Sequence, residues 1–154
     1  MNTITAFKPE ASSPRALVVF SGQTDLAWLR VLKRGFRHCF VLIECAPVHG
    51  DEKGGGWVLY NPLSNATQIA MWPLQDEESI QNWLMDQGYL VIKTYVRPLT
   101  NQILPWRPFT CVEAVKRALG LRLQGIFTPW QLYKFLIKDK KMKIILDISD
   151  DRGY

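Results

Sequence analysis

Hydrophobic positions follow two rhythms along this chain. Ala16-Leu17-Val18-Val19-Phe20 and the run His38-Cys39-Phe40-Val41-Leu42-Ile43, inside a strand expected over 36–45, are too continuously apolar for exposed edges. They read as buried strands covered on both faces. Trp57 to Tyr60, Thr67 to Trp72 and Tyr89 to Val96 read as further strands. A loop rich in glycine and charge, Pro47 to Gly56, and a turn at Asn61-Pro62 separate the middle ones, so three sequential antiparallel strands are expected. The second rhythm is helical. Leu26, Leu29 and Leu32 recur across a helix expected from Leu26 to Lys33, capped by Thr24 or Asp25 and stopped at Gly35. Ile80, Trp83 and Leu84 mark one face of a helix from Asp76 to about Gln87, with Gly88 as terminator. Thr128-Pro129-Trp130-Gln131 opens another through about Ile137, and Ile144-Ile145-Leu146 looks like a last strand.

The best-signalled helix lies between these. Thr110 and Glu113 have capping-box spacing, which makes Cys111 the first helical residue, and Gly120 supplies the left-handed residue that ends it. Lys116 and Arg117 fall in the last turns, where the dipole favours cations, and Ala114, Val115 and Ala118 share the cysteine's face. A sulfur at a helix start lies beside unpaired N–H groups that favour thiolate over thiol, and the thiolate is the nucleophile. Read alone, Cys111 is a structural core cysteine more often than a nucleophile.

Length adds a bound: the 154 residues suffice for one core and are too few for two domains, so we read 1–14 as a proline-punctuated leader and 15–154 as one domain. A net charge of +5 favours contact with an anionic polymer without choosing which. The basic cluster Arg30, Lys33, Arg34 and Arg37 reads first as a solvated helix end, which makes nucleic acid a weaker partner. Neither a secretory signal nor a membrane span is visible, so the product is expected to be soluble and made in the cytoplasm. Three cysteines cannot complete a disulfide framework. A zinc site from His38, Cys39, Cys45 and His49 fails on spacing, because neighbours on a strand point to opposite faces, so Cys39 and Cys45 read as core thiols, with no metal and no cofactor.

One of only two histidines, His38, heads the second buried strand. If that strand pairs antiparallel with the one at 57–61, Asn61 comes near His38 and could hold the ring nitrogen facing away from a thiol. A thiolate, an imidazole and an amide are the three parts of nucleophilic catalysis, and chain order does not matter to their geometry. Glu44, six residues along the same strand, lies roughly 20 Å from His38. The bland alternatives are a core histidine and a turn asparagine before Pro62.

The segments Gly35-Phe36-Arg37-His38-Cys39-Phe40-Val41-Leu42 and Phe109-Thr110-Cys111-Val112-Glu113-Ala114-Val115 together resemble the circularly permuted branch of the NlpC-like, papain-like thiol hydrolases, where the histidine precedes the cysteine. The resemblance implies an α+β fold with an antiparallel sheet packed on the cysteine helix. It also implies attack by Cys111 on an amide, ester or thioester, with His38 holding and returning the proton and Asn61 as third member. The substrate would be a peptide, peptidoglycan or acyl compound; members are often peptidoglycan peptidases, including phage-associated ones reaching the wall by particle, lysis or secretion machine, and acyltransferases also occur. The Cys111 N–H would serve the oxyanion, Gln23 could supply a second donor, and Trp106 and Trp130 could line a substrate groove. The rival is a non-catalytic binding or structural module on the same scaffold.

Overall fold

The computed structural model describes residues 13–23, 26–45, 55–72, 76–98 and 108–150, the side chains of residues 28 and 140–150 excepted. Five strands, β1 (Arg15–Ser21), β2 (His38–Cys45), β3 (Gly56–Pro62), β4 (Thr67–Trp72) and β5 (Leu90–Tyr95), form one antiparallel sheet in the order β4-β3-β2-β1-β5. Three helices, α1 (Glu77–Asp86), α2 (Cys111–Ala118) and α3 (Pro129–Asp150), complete an α+β architecture.

The continuous apolar runs are explained by what lies on each face. Ala16, Val18, Phe20, Cys39 and Val41 pack against Val112, Val115 and Leu119 of α2 and its flank, and against Leu132 and Leu136 of α3. Leu17, Val19, Phe40 and Leu42 point the other way, onto Ile80 and Leu84 of α1. With helices on both sides, alternation between polar and apolar positions disappears from β1 and β2. The segment holding α1 carries the chain from β4 at one edge to β5 at the other.

The α1 cap is a side-chain bond from Asp76, whose Oδ1 accepts from the Ser79 N–H at 2.9 Å. Gly88 follows with φ +82°, and Trp83, on the helix's rim, is 46% exposed while its ring meets Trp72 at 5.2 Å.

Four expectations are corrected. The segment after β1 is a short 3-10 turn, Ala27–Val31, with no side-chain cap, and not a helix from Leu26 to Lys33. Such turns close with poorer geometry and stay short. Asn61 and Pro62 belong to β3, opposite Gln68 and Thr67, and the turn follows them, closed by the Leu63 N–H to Ala66 carbonyl bond at 2.8 Å. Proline is tolerated there because it ends the strand. The Thr110–Glu113 box is one-sided: Thr110 Oγ1 accepts from the Glu113 N–H at 3.2 Å, but the Glu113 carboxylate turns to Lys116 and Arg117. Finally, α3 does not stop near Ile137; it runs on to Asp150, and Ile144 to Leu146 are helical. No glycine or proline interrupts 130–150, lysine or methionine occupies every position of 138–143 except Asp139, and extending a helix costs little once nucleated. An apolar triplet alone cannot separate strand from helix. The α3 capping box, by contrast, is reciprocal: Gln131 Oε1 accepts from the Thr128 N–H at 3.0 Å, and Thr128 Oγ1 from the Gln131 N–H at 3.3 Å.

Candidate active site

Lys116 fixes the shape of the cysteine helix. It is 2% exposed, and its ammonium meets the Glu113 carboxylate at 2.8 Å and the carbonyls of Leu123 and Ile126 at 3.1 Å each. Burial pushes the Glu113 carboxyl up, but hydrogen bonds and charge from Lys116 and Arg117 hold it below its usual value. The helix ends in a Schellman motif: Gly120 (φ +66°) donates to the Arg117 carbonyl at 3.1 Å, and Leu121 to that of Lys116 at 2.8 Å. A Cβ at Gly120 would lie 2.6 Å from the Arg97 carbonyl oxygen, so only glycine fits. These contacts set the orientation of the helix's other end, where Cys111 stands half-buried.

The β2–β3 register pairs Val41 with Tyr60, so its next step sets Phe40 opposite Asn61 and makes His38 the diagonal neighbour of Asn61. His38 Nε2 meets Asn61 Oδ1 at 2.7 Å. The Asn61 amide is itself oriented, since its Nδ2 donates to Gln68 Oε1 at 3.2 Å. That bond leaves Oδ1 for the ring, so Nε2 carries the proton and Nδ1 is the nitrogen left for the sulfur.

The Cys39 and His38 side chains both act on the acidity of the Cys111 sulfur. The Cys39 bond is the largest influence on its acidity and favours the thiolate. Burial works against it, and the bond and charge of His38 add to the lowering, so the Cys111 pKa falls to about 5. Burial drives Cys39 in the opposite direction, well above the ordinary thiol value, with the neighbouring Cys111 adding to the rise. Of the two thiols Cys111 is therefore much the more acidic.

Cys111, His38 and Asn61 line a common cavity of about 590 Å³. Leu26, Leu29 and Leu32 of the 3-10 segment, Leu63 of the β3–β4 turn, and Phe109 and Phe127 on either side of α2 make much of its wall apolar. Its described lining includes the Arg37 guanidinium and the His38 imidazole but no carboxylate.

Gln23 also lines the cavity, exposed, with its backbone N–H on Ser21 Oγ at 3.0 Å. Trp130 is placed elsewhere: its ring packs on Phe36 and Tyr133 in the core, under the Lys33 ammonium, away from the cavity lining. Trp106 and His49 lie outside the described residues, as does most of the leader expected over 1–14. Glu44 pairs with Arg15. Two contributors were not singled out from sequence. Gln68 shows no local signal beyond its place opposite Asn61 in the hairpin, and Cys39 is legible only as the residue after His38. Among the described residues no three His, Cys, Asp or Glu side chains gather as metal ligands, and no helix is long and apolar enough to cross a membrane.

No family model, no curated protein and no solved structure matches this chain.

Proposed function

We propose that this chain is a thiol hydrolase with the chemistry and permuted order of the NlpC-like, papain-like enzymes, acting on an amide, ester or thioester carbonyl. The observation that carries the reading is the convergence of Cys111, His38 and Asn61, drawn from a helix and two strands, with the imidazole between the sulfur and a 2.7 Å amide contact. The Cys111 sulfur attacks the carbonyl carbon, and the tetrahedral oxyanion is met by the Cys111 N–H at the helix start, with the Gln23 side chain as second donor. His38 protonates the leaving group, then takes a proton from water as the hydroxide attacks the acyl-enzyme. Asn61 holds the ring in the tautomer this requires. The apolar, carboxylate-free lining favours a substrate whose acyl part carries an apolar group. Peptides with an apolar side chain beside the scissile bond and acylated small molecules both fit that class.

The test is a burst experiment with p-nitrophenyl esters of graded chain length, followed by peptides and peptidoglycan fragments. One nitrophenolate per chain is expected in the burst, with a Cys111-linked acyl group by mass. His38→Ala should slow acylation by about 100-fold or more, while Cys111→Ala removes the burst from a chain that still folds cooperatively. A chain without a burst, whose Cys111→Ala variant melts lower and retains its function, would be a binding module in which Cys111 is a packing residue.

A further inference from the structure

The chemistry above uses Cys111, His38 and Asn61 and leaves Arg37 without a task. Arg37 lines the same cavity and immediately precedes His38 in the chain. Of the five N–H donors of a guanidinium, two meet acceptors, and both bonds are long: Nη1 to the Gly22 carbonyl at 3.5 Å and Nη2 to the Arg30 carbonyl at 3.3 Å. Its Nε is buried and has no acceptor at all. Among the described residues no carboxylate lines the cavity, and none pairs with Arg37. We propose that Arg37 anchors a carboxylate of the ligand, so that the cavity takes acyl compounds carrying one carboxylate beside an apolar group. That the ligand is a substrate rests on the hydrolase reading; the carboxylate site itself does not.

The main chain fixes the base of this anchor. The Arg37 N–H donates to the Ser21 carbonyl at 2.9 Å, where β1 and β2 begin to pair at Ser21 and His38. Gly22, which supplies one of the two acceptors, is pressed against the neighbouring strand entry: a Cβ on it would lie 3.2 Å from the Gly35 Cα. A group held in this way has little freedom left to lose when a ligand binds. A buried donor without an acceptor is unfavourable, whereas a carboxylate meets a guanidinium through two parallel charge-assisted bonds. Turning the guanidinium off its two long carbonyl bonds onto a carboxylate therefore exchanges weak partners for strong ones. Charge selects the anion. The described lining offers a single guanidinium, which balances a carboxylate and not a phosphate dianion. The apolar wall of Leu26, Leu29, Leu32, Phe109 and Phe127 excludes water around the pair, which strengthens it, and receives the rest of the ligand.

The full-length protein is titrated with 4-phenylbutanoate and with 5-phenylpentan-2-one, in which a methyl ketone of similar size replaces the carboxylate. Calorimetry gives the affinities, and NMR follows the Arg37 Nε–H signal, assigned by its loss in Arg37→Lys. The carboxylate should bind about ten-fold more tightly or better and should shift that signal, which the ketone leaves in place. Arg37→Gln should abolish the difference with the ketone's affinity unchanged. Arg37→Lys, which keeps the charge without the fork, should retain part of it. Equal affinities in the wild type, binding of neither compound, or an Arg37→Gln chain that loses both alike would overturn the proposal. The wild-type comparison decides the matter even where Arg37→Gln does not fold. Neither compound has a bond to cleave, so carboxylate binding without an ester burst refutes the hydrolase alone, and a burst without carboxylate preference refutes the site alone.

Discussion

At the scale of single residues, the site is a chain of hydrogen bonds with a direction. Gln68 accepts from Asn61, Asn61 accepts from His38, and His38 and Cys39 both serve the Cys111 sulfur. The rate of Cys111 alkylation should therefore rise with pH through a midpoint near 5 and be flat by neutrality. Because the Cys39 bond is the larger influence, Cys39→Ala should raise that midpoint more than His38→Ala does, and Cys39→Ser should largely restore it; the reverse ranking would show that the imidazole governs the thiolate. The sign of the stability linkage follows. A folded pKa below the unfolded value of about 8.5 means the stabilisation is complete above that value and is lost as pH falls through about 5. Stability measured by urea titration should rise between those limits by less in Cys111→Ser than in the wild type. Gln68 acts one bond further out and is exposed, so Gln68→Leu should slow acylation by about 2–10-fold, the size of one hydrogen bond. Gln68→Glu, which keeps the acceptor, should cost less.

Among the elements, α2 has the clearest mechanical demands. Lys116 is a cation inside the protein with three acceptors around it, so Lys116→Met leaves Glu113 buried beside Arg117 alone. Breaking a buried pair in this way costs about 3–5 kcal/mol, to be read from chemical denaturation. Glu113→Gln, which keeps an acceptor for Lys116, should be milder. Gly120→Ala combines a left-handed backbone with a clash on the Arg97 carbonyl and should cost about 2 kcal/mol or more; a neutral result would show that the Arg97 segment yields. These elements also mark where sequence is legible. Thr110, Gly120 and Thr128 act on neighbours a few residues away, so their roles follow from spacing. The burial of Lys116 depends on Leu123 and Ile126 folding back over it, and a basic residue in a last turn has the same pattern whether solvated or sealed. The end of α3 is not legible for a related reason: Ile144 to Leu146 suit either period, and the lysines before them extend a helix as readily as a loop.

Over the whole molecule, the sheet brings together what the sequence separates. Strand β1 pairs with β2 on one side and with β5, some seventy residues further along the chain, on the other. The central runs at 16–20 and 39–43 were legible because helices on both faces forbid polar alternation, and His38 and Asn61 because one hairpin register relates them. The influence of Cys39 on Cys111 was not, since it exists only once α2 has docked on β2. That docking has a consequence for anyone following the fold. At about pH 6, Cys111 should be the fast-labelling thiol of the folded chain, while Cys39 is silent under its helices. Unfolding should make all three cysteines ordinary and comparably slow. Across a urea series, a loss of labelling at 111 that coincides with a gain at 39 would report a single cooperative transition. Separated midpoints would show α2 lifting from a sheet that is still intact, so the three thiols serve as a built-in gauge of docking against unfolding.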